Sequence, residues 1–206
     1  MRFHDVDVPM IVLIASFSLA LFLLTTLSIA ASPHLERTVL LSENVRDMSE
    51  LDAAQALERH EAVRRFILRG DTLQEATPEE IAHLHDVRRL IDILLAVALL
   101  AIAFGIGAMR KTSIGYRMIA RRVSVTIMST VILIAILTIM NGFESSFWDF
   151  HFIFFPQGNF AFPPDSFLIT LYPITFFSQM ASWIAALTIA IFALVYLISR
   201  ESVRTT

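Results

Sequence analysis

Two short stretches of this sequence carry side chains able to move protons near neutral pH. One holds Glu79, His83 and Asp86, and the other holds Asp149 and His151. Histidine titrates in the physiological range, so either ring can take or give a proton. On a helix Glu79, His83 and Asp86 share one face at i, i+4 and i+7, while His85 turns away. A metal reading is weaker. The rings of His83 and His85 diverge on a helix, and nothing in the spacing requires His83, Asp86 and His151 to be three ligands of one ion. His4, His34 and His60 sit in charged or terminal contexts and read as surface residues. The chain has no cysteine, which removes disulfides, iron–sulfur clusters, thiolate zinc and thiol relays together. No metal and no cofactor is therefore expected. An isolated histidine at an interface is more often structural than catalytic, so residue type alone leaves both readings of the pair open.

The elements that must position these residues are set by solvent. Hydrophobic residues make up 56% of the 206 and charged residues only 17%, below the roughly 25% of a soluble domain. The apolar residues fall in blocks, as a membrane requires. The net charge of −3 and the lack of a basic stripe interleaved with aromatics speak against a nucleic-acid partner. Crossing the hydrocarbon takes about 20 apolar residues, and four stretches qualify: 9–31, 90–109, 123–143 and 179–198. The first is too long for a cleaved leader, and Asp5 and Asp7 stand beside Arg2 ahead of it, so it reads as a retained span. Pro173 interrupts the last apolar run, which makes 167–177 interfacial or re-entrant. The loop 110–122 carries Arg110, Lys111, Arg117, Arg121 and Arg122 with no acid, and the tail carries Arg200 and Arg204. Basic loops stay in the cytoplasm. Both termini are then cytoplasmic, and 32–89 and 144–166 lie outside. The expected fold is all-α: a four-helix membrane bundle with a small helical cap over 32–89 and an irregular aromatic loop over 144–177.

Within the cap, residues 35–69 read as helical. Leu40, Leu41, Val45, Met48 and Leu51 make one apolar face, and Leu57, Val63, Phe66, Ile67 and Leu68 a second. Thr77, Pro78 and Glu80 announce a new helix with a capping box. Nothing breaks it before Leu90, so His83 stands about seven residues, or roughly 10 Å, above the hydrocarbon edge. The aromatic loop holds most of the 17 phenylalanines and four of the seven prolines. An aromatic belt accounts for Trp148 and some of the rings. So many Phe with so little Tyr or Trp fits walls for acyl chains better.

Two motifs in these segments resemble a known family. Glu80-Ile81-Ala82-His83-Leu84-His85-Asp86-Val87-Arg88 resembles the E-(I/L)-x-H-(M/L)-x-D-V-(K/R) segment of the bacterial lipoprotein intramolecular transacylases. The run from Phe150 through Pro173, with His151, Gly158, Asn159, Asp165 and Tyr172 in register, is similar to a second segment of that family. Phe160 stands where the family usually has Trp, Phe177 where relatives often have Trp, and the cap shows little motif-level similarity. The resemblance implies an enzyme that moves an acyl chain within a diacylglyceryl-modified lipoprotein, from the sn-2 oxygen to the α-amine of the N-terminal cysteine. It implies His83 and His151 as the catalytic pair, with His83 as base and His151 as its partner or the two roles exchanged, and Glu79, Asp86, Asn159, Asp165 and Tyr172 as orienting or substrate-binding groups. Phe152, Phe154, Phe155, Phe160 and Phe162 would line the acyl chains. The partners are then the lipoprotein and membrane lipid, with no covalent acyl-enzyme. A lipid hydrolase, a bis-histidine haem or quinone carrier, and a sensor whose cap binds a partner are the rival readings.

Overall fold

The computed structural model describes residues 8–42, 45 and 51–201. Arg2, His4, Asp5, Asp7, Met48 and Arg204 lie outside the described residues. Within them the chain forms eight helices and no strand. They are α1 Val8–Ala30, α2 Pro33–Leu40, α3 Ala53–Arg69, α4 Pro78–Met109, α5 Tyr116–Asn141, α6 Phe143–Phe154, α7 Phe167–Leu171 and α8 Ile174–Glu201. Four of these, α1, α4, α5 and α8, are long and apolar enough to cross a membrane.

The chain divides into two compact units. The first gathers Met1–Ser28, Leu94–Ala135 and Ala185–Thr206. Its core is Leu13, Ile119, Val123, Ile127, Val131 and Phe192, with Ala108. Gly105 admits the ring of Phe17, whose nearest atom lies 3.1 Å from where a Cβ would stand. Around that core Leu99, Leu100 and Phe104 are exposed. Apolar exposure of this extent suits lipid and not water.

The second unit gathers Ile29–Ile93 and Ile136–Ile184. Here the local rules of helix ends decide the layout. Pro33 opens α2 and Ser32 caps it. The expected helix over 35–69 is broken. Ser42 turns its hydroxyl back to the Val39 carbonyl and to Gln179. Asp52 then starts α3 afresh, accepting from the amides of Ala54 and Gln55 while the Gln55 side chain returns a bond to the Asp52 backbone. A side chain that satisfies orphan amides this way sets a helix start that hydrophobic spacing cannot reveal. Leu40, Val45, Val63 and Phe66 are buried as their faces require, but Leu41 and Leu68 are exposed. Gly70, at φ 80, ends α3.

Thr77 and Glu80 form the expected capping box: the Thr77 amide donates to Glu80 Oε2 at 2.8 Å, and the Glu80 amide to Thr77 Oγ1 at 3.3 Å. All charges of α4 lie in its first fifteen residues, from Glu79 to Asp92. From Ile93 to Met109 there are none, so its first turns stand outside the hydrocarbon-crossing part. Gly142, at φ 84, separates α5 from α6. The aromatic segment is more regular than its prolines suggest, since three turns of helix precede Pro156 and only 155–166 and 172–173 are irregular. Pro173 lacks an amide hydrogen, and α8 begins immediately after it.

One reading of the sequence is overturned outright. His60 is 1% exposed, not a surface residue. Its Nδ1 lies 2.9 Å from the Tyr172 hydroxyl, and Glu36, itself paired with Arg64, stands 3.6 Å from Nε2. His34 is exposed, as expected.

Candidate active site

The capping box fixes where α4 begins, and with it the direction in which His83 projects. His83 is 8% exposed, with the edges of Phe155 and Phe162 against its ring at 4.9 and 5.7 Å. His151 comes from α6 and is 9% exposed. The two imidazoles stack with centroids 6.0 Å apart and planes 27° from parallel.

The two rings are held differently. His151 Nδ1 lies 2.7 Å from the carbonyl oxygen of Phe147, one helical turn earlier. A carbonyl can only accept, so Nδ1 carries the proton and Nε2 keeps its lone pair. The Phe147 ring packs on the same imidazole at 4.1 Å, and Phe160 closes it at 5.2 Å. The His83 side chain makes no hydrogen bond to any described residue, and its Nδ1 is enclosed. Burial depresses both pKa values. For His83, burial and then the neighbouring His151 outweigh the Asp86 charge and push it down to about 4. For His151, burial lowers it against the opposing pull of the Phe147 carbonyl. Both rings are therefore neutral at neutral pH.

Asp86 does not orient His83. Its Oδ2 accepts from Gln157 Nε2 and from Asn159 Nδ2, each at 2.7 Å. The bond from Asn159 holds its carboxyl below the usual range, with that from Gln157 adding to it. Asp86 thus ties the irregular aromatic segment to α4. Glu79 is exposed and makes no side-chain hydrogen bond among the described residues. Asp165 is exposed too, and the neighbouring Ser166 caps α7 in its place. Tyr172 lies with His60, not with the paired histidines, and burial raises its pKa. Among the described residues no three ligating side chains come together as a metal site would need.

The aromatic residues divide according to the helix. Phe147 and His151 share a face of α6 at i and i+4, and Phe155, which caps the end of that helix, is 2% exposed and packs against the His151 ring at 5.6 Å. Phe160 is buried, and Phe162 lies against His83. Phe152 and Phe154 project elsewhere and are 64% and 43% exposed. They do not line the histidine site.

Sequence reading missed Gln157, Phe147 and the second role of Glu80. Glu80 is fully buried, and its Oε1 accepts from the amide of Leu168 at 2.8 Å. One carboxylate thus caps α4 and also holds the start of α7. The i, i+4 relation of Phe147 to His151 becomes visible once 143–154 is taken as a helix. The partner of Glu80 leaves no mark in the sequence.

Residues 10–177 match the family model of the lipoprotein intramolecular transacylase Lit. Comparison with curated proteins gives no match. The fold is similar to that of the membrane-integral lipoprotein intramolecular transacylase from Bacillus cereus, with a TM-score of 0.78 and 18% identity over 95% of this chain and 94% of that one. Two further structures of that protein, with a histidine replaced by arginine or by alanine, match with a TM-score of 0.75 and 17% identity. They cover 95% of this chain and 91% and 92% of theirs. At this identity the likeness of structures speaks for the fold.

Proposed function

The chain belongs to the lipoprotein intramolecular transacylase family, and from that premise we propose that it moves the sn-2 acyl chain of a diacylglyceryl-modified lipoprotein to the α-amine of its N-terminal cysteine. The observation that carries this reading is the stacked pair of neutral, buried imidazoles, His83 and His151, walled by phenylalanine.

The chemistry needs three things from the protein. The attacking amine must lose a proton, the carbonyl oxygen must be stabilised as it gains charge, and the departing glycerol oxygen must receive a proton. His151 suits the two proton steps. Its Nδ1–H is committed to the Phe147 carbonyl, which leaves Nε2 as a fixed acceptor, the arrangement that makes an imidazole a general base. The amine nitrogen bonds to the carbonyl carbon as its proton passes to Nε2, and the same proton leaves with the glycerol oxygen when the carbon–oxygen bond breaks. His83 has no protein hydrogen bond to lose, so its single N–H can turn to the developing oxyanion. Of the two assignments that the sequence leaves open, this is the one with His151 as base. Nucleophile and ester belong to one molecule, so the protein gains rate by holding them together, and no acyl-enzyme is required. Phe155, Phe160 and Phe162 supply a dry wall for this step, and Asp86 keeps that wall in place through Gln157 and Asn159.

The charge of the basic loop 110–122 supports a topology in which both termini are cytoplasmic and this site faces the extracytoplasmic side. Reporter fusions after Lys111 should read as cytoplasmic and those after Gly70 as external. The reaction is tested by mass spectrometry of a model lipoprotein from cells with and without this protein. An acyl group on the cysteine amine, with a free sn-2 hydroxyl, is the expected product. A lyso-lipid with a free amine would instead mean that water attacks, and that the protein is a hydrolase.

A further inference from the structure

One hydrogen-bonding atom beside Asp86 is left without a partner. Asn159 is bound through Nδ2 to the Asp86 carboxylate at 2.7 Å. A carboxylate oxygen accepts and cannot donate, so this bond fixes which way the amide lies, with Oδ1 directed off Asp86. Oδ1 is enclosed and meets no donor. A carbonyl oxygen buried without a donor is costly, and such atoms in a folded protein call for an explanation. The placing of Asn159 is also built into the backbone. Gly158 before it takes φ 76, and its amide closes a turn on the Phe155 carbonyl at 3.0 Å. His83 stands one helical turn before Asp86 on α4, and its Nδ1 is also enclosed without a partner.

The surroundings select the kind of donor that fits. Asp86 is ionised and sits against the same amide, so a donor carrying positive charge is favoured over a neutral one. Gln157 gives an N–H to Asp86 and none to Asn159, and no described lysine or arginine bonds to Asn159. The walls are phenylalanine, which would not solvate a free ion but do accept a charge tethered to acyl chains.

We propose that Asn159 Oδ1 is the receptor for the α-amine of the substrate's N-terminal cysteine. This rests on the transacylase reading and assigns within it the group that recognises the nucleophile. Asn159 takes no proton and forms no covalent bond. It accepts one N–H of the bound ammonium. Release of a second proton to solvent then exposes the nitrogen lone pair to the ester. The third proton passes to the histidine on attack and on to the departing glycerol oxygen, so that the product amide keeps the N–H held by Asn159. Asn159 is then a specificity residue that distinguishes a free amine from a lipid lacking one.

The test uses two non-reacting probes and the full-length protein. Both are S-diacylglyceryl cysteinyl peptides whose sn-2 ester is replaced by an ether. One keeps its α-amine, and in the other hydrogen replaces the amine. The unsubstituted protein should bind the amine-bearing probe about tenfold tighter, the effect expected of one hydrogen bond to a charged group. In Asn159→Ala that preference should disappear. Loss of the Asp86 contact alone would weaken both probes equally, and a preference that survives in Asn159→Ala overturns the assignment. Should Asn159→Ala not insert stably, Asn159→Asp keeps the acceptor and should retain or enlarge the preference; equal binding by that variant refutes it. Unsubstituted protein that binds both probes equally refutes the role of Asn159 only. Unsubstituted protein that binds neither refutes the transacylase reading beneath it.

Discussion

The second unit buries histidine in two places, and the two places are built on opposite terms. In the cap, His60 is enclosed among polar partners: the Tyr172 hydroxyl at one nitrogen, and Glu36 with its Arg64 facing the other. Where α4 meets the aromatic segment, His83 and His151 are enclosed among phenylalanines, and the His83 side chain has no hydrogen bond to any described residue. Burial lowers the pKa of all three rings. The difference lies in what surrounds the rings. At His60 one nitrogen is bonded to the Tyr172 hydroxyl, which ties α3 to the Tyr172–Pro173 turn, and the other makes no hydrogen bond but faces the ion pair of Glu36 and Arg64. At the pair, one nitrogen is fixed by a backbone carbonyl, and His83 Nδ1 is enclosed against phenylalanine without a partner. Buried histidine is thus no sign of function by itself; what sets the pair apart is walls of phenylalanine in place of a neighbouring ion pair.

Substituting each histidine should break the comparison apart most sharply. His83→Ala and His151→Ala should each lower acyl transfer by a hundredfold or more, roughly the contribution of a positioned proton-transfer group, with insertion unchanged. His60→Ala should retain the reaction but lower stability by about 2 kcal/mol, since it leaves the buried Tyr172 hydroxyl without its partner. Loss of transfer in a stably folded His60→Ala would falsify the distinction.

The tie at Asp86 comes next. Asp86→Ala removes both bonds to the aromatic segment and should cost roughly tenfold or more in transfer, the scale of hydrogen bonds to a charged group. Gln157→Ala removes one bond and should cost less. Equal effects from the two, measured as initial rates, would mean that Asp86 acts on the chemistry directly.

A finer comparison lies within one helix. Phe155→Ser replaces a buried ring that touches both histidines and should reduce transfer strongly. Phe154→Ser changes an exposed ring and should leave transfer within about twofold, like most exposed substitutions. If both variants lose transfer equally, the whole segment and not one face of α6 holds the acyl chains.

The smallest effect is on stability with pH. His83 has a folded pKa of about 4 against 6.5 for an unperturbed ring. The unfolded chain then binds the proton first as pH falls, so stability is full above 6.5 and declines as pH drops toward 4. His151 shifts in the same direction. Thermal unfolding followed from pH 7 to pH 4 should show this decline, and His83→Gln should flatten it. An unchanged slope in that variant would mean that the ring is not desolvated.

By itself the sequence determined the parts of this protein that depend on near neighbours along the chain. Uninterrupted apolar runs fixed four helices long enough to cross a membrane, because backbone polar groups in hydrocarbon have no other way to be satisfied. Thr77, Pro78 and Glu80 marked the start of α4, and hence the side on which His83 emerges, because capping acts over three residues. The two histidine motifs were legible as well. The break at Asp52 was the exception among local features, because apolar spacing continued through it. Everything that depended on residues far apart was decided only by the tertiary structure. It put Asp86 against Gln157 and Asn159, 71 and 73 residues away, where the motif suggested His83. It gave Glu80 a second partner at Leu168, and it joined His60 to Tyr172 across 112 residues. Helix period says which way a side chain points from its own axis, but which element meets it there depends on packing, and packing leaves no spacing in the chain to read.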